Sequence, residues 1–183
     1  ISEMGEMEAL QSIIRPTVGV LTNIGGAHQE NFYSVPDKCM EKLTLFKECD
    51  VVIYDGDNEL ISSCVGKSLF GAREIAWSKT DNERPLYISS IEKGETSTTI
   101  RYRYLGMPNE YTIPFIDDAS IENSLHCLAV CLYMMLPAEK ITERMAHLEP
   151  IAMRLEVKEG KNGCVLINDS YNSDLASLDI ALD

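Results

Sequence analysis

The stretch Thr17-Val18-Gly19-Val20-Leu21-Thr22-Asn23-Ile24-Gly25-Gly26-Ala27-His28, with Lys42 fourteen residues beyond the histidine, decides the fold. An apolar run ends abruptly in a polar, glycine-rich turn. Open α/β sheets end their strands in this way where ligands bind, in the crevice beyond the carboxyl ends. The turn brings Asn23 and His28 to one small region.

Outward from that stretch the chain alternates. Upstream, Met7, Leu10, Ile13 and Ile14 recur at helical spacing from Glu6 to Ile14, and Arg15-Pro16 stops that helix before the strand Thr17 to Ile24. Downstream, Ser34 is a candidate N-cap with Pro36 in the first turn of a helix that runs through Met40, Leu43 and Phe46 to about Glu48. Val51 to Tyr54 is a short continuous apolar run, as expected of a strand covered on both faces. A helix over Leu60 to Leu69 and a strand over Glu74 to Ser78 follow. Strand, helix, strand, helix, strand predicts an α/β fold with a mostly parallel sheet and flanking helices.

The texture changes after Asn82. Leu86 to Glu92, Thr98 to Tyr104 and Tyr111 to Phe115 are β-rich, separated by Lys93-Gly94-Glu95 and Gly106-Met107-Pro108-Asn109. This predicts an antiparallel meander packed on the edge of the parallel sheet. An apolar helix starts at Asp118 or Ser120 and stops before Pro137, and a second runs from Ala138 to about Leu148. Pro150 to Arg154 reads as a hinge, which gives a boundary between residues 1–150 and 151–183. Beyond it Leu155 to Val157 and Cys164 to Ile167 form a strand pair, and a helix begins near Asp174, the start of a second α/β domain.

Composition narrows the function. A net charge of −13 with scattered acidic residues argues against a nucleic-acid phosphate partner, and an anionic nucleotide would need Mg²⁺ and local cations to approach. Six cysteines show no Cys-x-x-Cys pair and no metal spacing, which fits reduced thiols and a cytoplasmic protein. The longest apolar run, Leu125 to Leu136, is well short of the roughly twenty residues a membrane span needs.

The polar clusters carry the chemistry. His28 at a strand end is either a structural hydrogen-bonder or, with Glu30 and Thr22 nearby, a ligand for a hard cation such as Mg²⁺. Lys42 shares a helix with Met40, Leu43 and Phe46, where lysines ordinarily snorkel to solvent. A buried amine of lowered pKa at that position would instead react with CO₂ to form a carbamate. Asn168-Asp169-Ser170-Tyr171-Asn172 reads as an Asx-type turn before a helix or as a second ligand cluster. Arg154 suits a structural ion pair and Asn123 a helix cap. Gly66-Lys67-Ser68 is no phosphate loop, because the motif needs a glycine where Ile61 stands.

In this order the signals resemble the Mur ligases of peptidoglycan synthesis. The carrying residues are Gly5-Glu6-Met7-Glu8, Pro16 to His28 with Phe32 and Ser34, Lys42 with Leu45-Phe46, Asn123-Ser124-Leu125, Met153-Arg154-Leu155, and Asp169 to Asn172 with Ser177-Leu178. The resemblance implies the later part of a central ATP-binding domain over residues 1–150 and the start of a C-terminal ligase domain over 151–183. It implies ATP and Mg²⁺ as cofactors. It further implies an ATP-dependent amide bond, made through an acyl phosphate, between UDP-N-acetylmuramoyl-tripeptide and D-alanyl-D-alanine. His28 would ligate Mg²⁺ and a carbamylated Lys42 would support that site. Asn23, Asn123, Arg154 and Asp169 would meet ATP, with Tyr171 and Asn172 beside them.

Some positions depart from the family. A His-Asn-x-x-Asn helix start is expected, whereas the chain reads Ala119-Ser120-Ile121-Glu122-Asn123, and an expected proline is Leu175. The glycine-rich ATP loop is not among these residues, so the 183 residues alone are expected to be inactive. Two alternatives stay open, a folyl-polyglutamate-type ligase with the same domain plan and a non-catalytic interaction domain.

Overall fold

Residues 1–26, 28–68, 71–150 and 156–168 are described in the computed structural model, which divides into two compact units, Ile1–His147 and Leu148–Asp183. Among the described residues, no helix is long and apolar enough to cross a membrane.

The first unit is built on a six-stranded sheet in sequential order, β1 (Val18–Leu21), β2 (Val51–Asp55), β3 (Arg73–Ser78), β4 (Leu86–Lys93), β5 (Thr98–Tyr104) and β6 (Met107–Ile113). β1 to β4 run parallel, in register Val20↔Ile53 and Ile53↔Ile75, and β3 meets β4 only at Trp77↔Leu86 and Ser78↔Tyr87. β4, β5 and β6 are antiparallel. The meander therefore joins the parallel sheet at its edge, as the sequence suggests, and continues it, because β4 pairs with β3 and carries the hydrogen-bonding edge onward.

Helices α1 (Glu6–Ile14), α2 (Val35–Thr44), α3 (Glu59–Ser68), α4 (Asp118–Tyr133) and α5 (Ala138–Met145) complete the unit. The period-two alternation of β2 sorts them. Val52 and Tyr54 join Leu21, Cys39, Leu43, Ile61 and Val65 in the core under α2 and α3, whereas Val51 and Ile53 join Trp77, Leu86, Leu125 and Leu128 under α4. Both faces of the parallel strands are thus covered, which is why β2 reads as unbroken apolar sequence.

Local chemistry fixes the boundaries. Ser34 caps α2, its Oγ accepting from the Asp37 N–H at 3.3 Å and donating to Asp37 Oδ2 at 2.6 Å. Asp117 caps α4 by accepting from the Ser120 N–H at 2.7 Å, a bond worth about 1 kcal/mol. The β5–β6 hairpin turns at Leu105-Gly106, both with positive φ (49° and 84°), and not over Gly106 to Asn109 as the sequence suggests. Pro108 lies inside β6 opposite Arg103. An edge strand tolerates it because the missing N–H costs no ladder bond on the open side.

In the second unit, β7 (Glu156–Glu159) and β8 (Val165–Asn168) form an antiparallel pair around the turn Lys161–Gly163. The hinge over 150–154 and the helix expected near Asp174 fall wholly or mainly outside the described residues.

Candidate functional site at the carboxyl ends of the parallel strands

β1 ends at Leu21 and leaves its carbonyls beyond Thr22 without strand partners. Helix α2 answers them with two lysines one turn apart on the same face. Lys38 Nζ donates to the Gly25 carbonyl at 2.7 Å, and Lys42 Nζ donates to the Asn23 carbonyl at 3.2 Å. Lys38 is 2% exposed, and its ammonium also stands 5.7 Å from the Phe32 ring centroid. Burial, with the neighbouring Lys38 charge second, holds the Lys42 amine below the usual lysine range.

The depth of α2 follows from Gly19. A Cβ there would lie 2.6 Å from the Phe46 ring, so only glycine lets this segment close onto β1 and bring Lys42 to Asn23. A sequence pattern that suggests snorkelling therefore yields a half-buried amine.

His28 has a left-handed backbone, φ 59° and ψ 26°, uncommon for a residue with a side chain. Its ring makes no hydrogen bond among the described residues, and Nδ1 stands 4.0 Å from Glu30 Oε1 with both side chains largely exposed. It is thus a presented group and not a structural hydrogen-bonder. Among the described residues no three His, Cys, Asp or Glu side chains converge on a metal position. One imidazole and one carboxylate still fit Mg²⁺, which keeps several waters and takes its remaining ligands from substrate phosphates.

The neighbouring strand ends are also polar. Asp57, just past β2, accepts from Ser78 Oγ at 2.5 Å, Thr80 Oγ1 at 2.6 Å and the Lys79 N–H at 2.6 Å. Burial opposes ionisation there, yet these bonds win and hold the carboxyl below its usual range. Asp55 and Glu122 behave oppositely: burial raises both, and for Glu122 the charge of Asp55 adds to it. Lys79 lies over the Trp77 ring, 5.5 Å from its centroid, and counters part of that repulsion. Beneath them Trp77 Nε1 donates to His126 Nδ1 at 3.2 Å, the rings edge to face at 5.3 Å.

Of the residues singled out in the sequence, Asn23 and Lys42 meet directly and His28 shares their turn. Asn123 is exposed in the second turn of α4 and does not cap it, since Asp117 fills that role. Arg154, Asp169, Tyr171 and Asn172 lie outside the described residues. Sequence reading missed Lys38, Lys79, Asp55, Glu122 and His126. For Lys38 the spacing of four from Lys42 was an available signal, whereas the others are assembled by the sheet.

Fold and site together define an open, mostly parallel α/β domain, with two lysines holding the turn at the end of its first strand. Residues 1–131 match the Mur ligase middle domain, and the chain belongs to that family. It is similar to the UDP-N-acetylmuramoyl-tripeptide–D-alanyl-D-alanine ligase of Bacillus subtilis, 29% identical over 189 aligned residues that include the whole chain and 39% of the relative. In fold it is similar to MurF from Acinetobacter baumannii (TM-score 0.83, 18% identity, covering 98% of this chain and 39% of that one). It is also similar to MurF ligase from Thermotoga maritima in complex with ADP (TM-score 0.78, 18% identity, 99% and 42%). The chain spans about two fifths of the length of these relatives.

Proposed function

We propose that this chain is part of an ATP-dependent carboxylate–amine ligase that joins D-alanyl-D-alanine to UDP-N-acetylmuramoyl-tripeptide. Residues 1–150 would be the later part of its ATP-binding domain and 151–183 the start of its C-terminal ligase domain. In this reading the tripeptide carboxylate takes the terminal phosphoryl group of ATP, and the dipeptide amine then displaces phosphate to form the amide. The observation that carries it is the Lys42 ammonium against the Asn23 carbonyl at the end of β1, in a chain of this family.

The residues suit these roles. His28, with Glu30 beside it, would hold Mg²⁺, which supplies charge neutralisation between two anionic reactants. Half-burial of Lys42 raises the share of neutral amine, the form that adds CO₂; a carbamate formed there would replace a cation by an anion and so would support a bound Mg²⁺. Lys38 keeps the turn in place whatever the state of Lys42. Asn23 and Asn123, exposed at the end of β1 and on α4, would meet the nucleotide, and Arg154, Asp169, Tyr171 and Asn172 would complete the proposed ATP set.

The test uses the intact protein with ATP and two substrate pairs, and the product is read by mass spectrometry. UDP-N-acetylmuramoyl-tripeptide with D-alanyl-D-alanine is expected to yield ADP, phosphate and the pentapeptide product. Product only from a folate with glutamate would replace this reading by the folyl-polyglutamate one, and no ATP-dependent product from either pair would favour the interaction domain.

A further inference from the structure

His126 is 3% exposed in α4, yet among the described residues its Nε2 has no partner at full hydrogen-bond geometry. The indole N–H of Trp77 only donates, so Nδ1 is the acceptor and the neutral ring carries its proton on Nε2. Among the described residues that Nε2–H meets no acceptor at full hydrogen-bond geometry, and its one polar contact is a weak one with the Thr22 backbone, which favours the protonated ring. Thr22 directly precedes Asn23, whose carbonyl receives Lys42. A buried donor left with so weak a bond is costly and rare, and a well-formed bond to the same acceptor in another state of the site accounts for it.

We propose that His126 is a positioning residue of the strand-end site: its Nε2–H closes on the Thr22 carbonyl when nucleotide binds, and so fixes Asn23 and Lys42 against α4. This rests on the nucleotide reading above. The strut runs from Trp77 at the end of β3, through the imidazole, to the end of β1. It ties together the carboxyl ends of two strands that are not themselves neighbours in the sheet. Glutamine is the conservative replacement, because its amide can accept from Trp77 and donate onward, whereas leucine fills the space and does neither.

The test is an NMR titration of the intact protein, ¹⁵N-labelled at histidine and tryptophan, with MgADP as the probe. Trp77 is the only tryptophan in these 183 residues, and Trp77→Phe identifies its signal in the intact protein. On saturation the Trp77 Nε1–H and His126 Nε2–H resonances are expected to shift, the latter becoming slow to exchange with water. His126→Leu is expected to raise KM for ATP about tenfold with kcat within about twofold, the worth of one hydrogen bond made on binding, while His126→Gln stays within about threefold of wild type. Unmoved resonances at saturating MgADP overturn the proposal, as does equal KM in the two variants. The wild-type titration decides the matter even where His126→Leu fails to fold. Absence of any MgADP binding by the wild type overturns the nucleotide reading itself and this inference with it. Binding with silent His126 and Trp77 signals overturns this inference alone.

Discussion

In the antiparallel half of the sheet, Arg101 of β5 lies between Glu92 of β4 and Glu110 of β6, and Lys93 reaches Asp118 at 2.8 Å, all at the surface. In the parallel half, Lys38 and Lys42 are drawn against backbone carbonyls, and Asp55 and Glu122 are half-buried beside each other. The residue types are the same. The first set pairs opposite charges in water, where each pair is worth little. In the second set Lys42, Asp55 and Glu122 are taken partly out of water, which moves their proton affinities away from the ordinary values.

The largest effect expected from breaking this contrast is on stability. Trp77 is fully buried and joins β3 to α4, so Trp77→Ala should cost about 3–5 kcal/mol, read from urea unfolding. Next, Lys42→Ala should lower ligase turnover of the intact protein about a hundredfold, the usual loss on removing a preorganised charge, with the unfolding midpoint little changed. Turnover within twofold of wild type would remove Lys42 from the site.

A smaller effect concerns pH. Burial lowers the His126 pKa from 6.5 to about 4, so the fold holds the neutral ring. Its contribution is complete above pH 6.5 and is lost as pH falls towards 4, because the unfolded chain takes up the proton first. Wild type should therefore lose more stability between pH 6.5 and 4 than His126→Gln does, and parallel pH curves would contradict that. Smallest of all, Arg101→Ala should leave both the unfolding midpoint and turnover unchanged, since its side chain is 44% exposed between two exposed acids.

What the sequence made legible follows the range of the forces involved. The apolar run Val51 to Tyr54 announces a strand covered on both faces, and Ser34 with Pro36 announces the start of α2, because those patterns are local. Lys42 was visible as a residue but not as a half-buried one, since its depth depends on Phe46 packing over Gly19, twenty-seven positions earlier. His126 carried no signal at all. It lies among the apolar residues of α4, and its partner Trp77 is 49 residues away. Pro108 misled the reading of β6 because proline marks a turn unless the strand is known to be an edge. The start of α4 at Asp118 is legible, whereas its cap is Asp117 and not Asn123, which stands a full turn inside the helix.

The most direct test of the contrast is hydrogen–deuterium exchange on the intact protein with and without MgADP. Ligand-induced protection is expected at the strand-end segments around Thr22 to Gly26, Asp55 to Asp57 and Ser78 to Thr80, with exchange in β4 to β6 unchanged. Protection confined to β4 to β6, with none at the ends of β1, β2 and β3, would contradict the account.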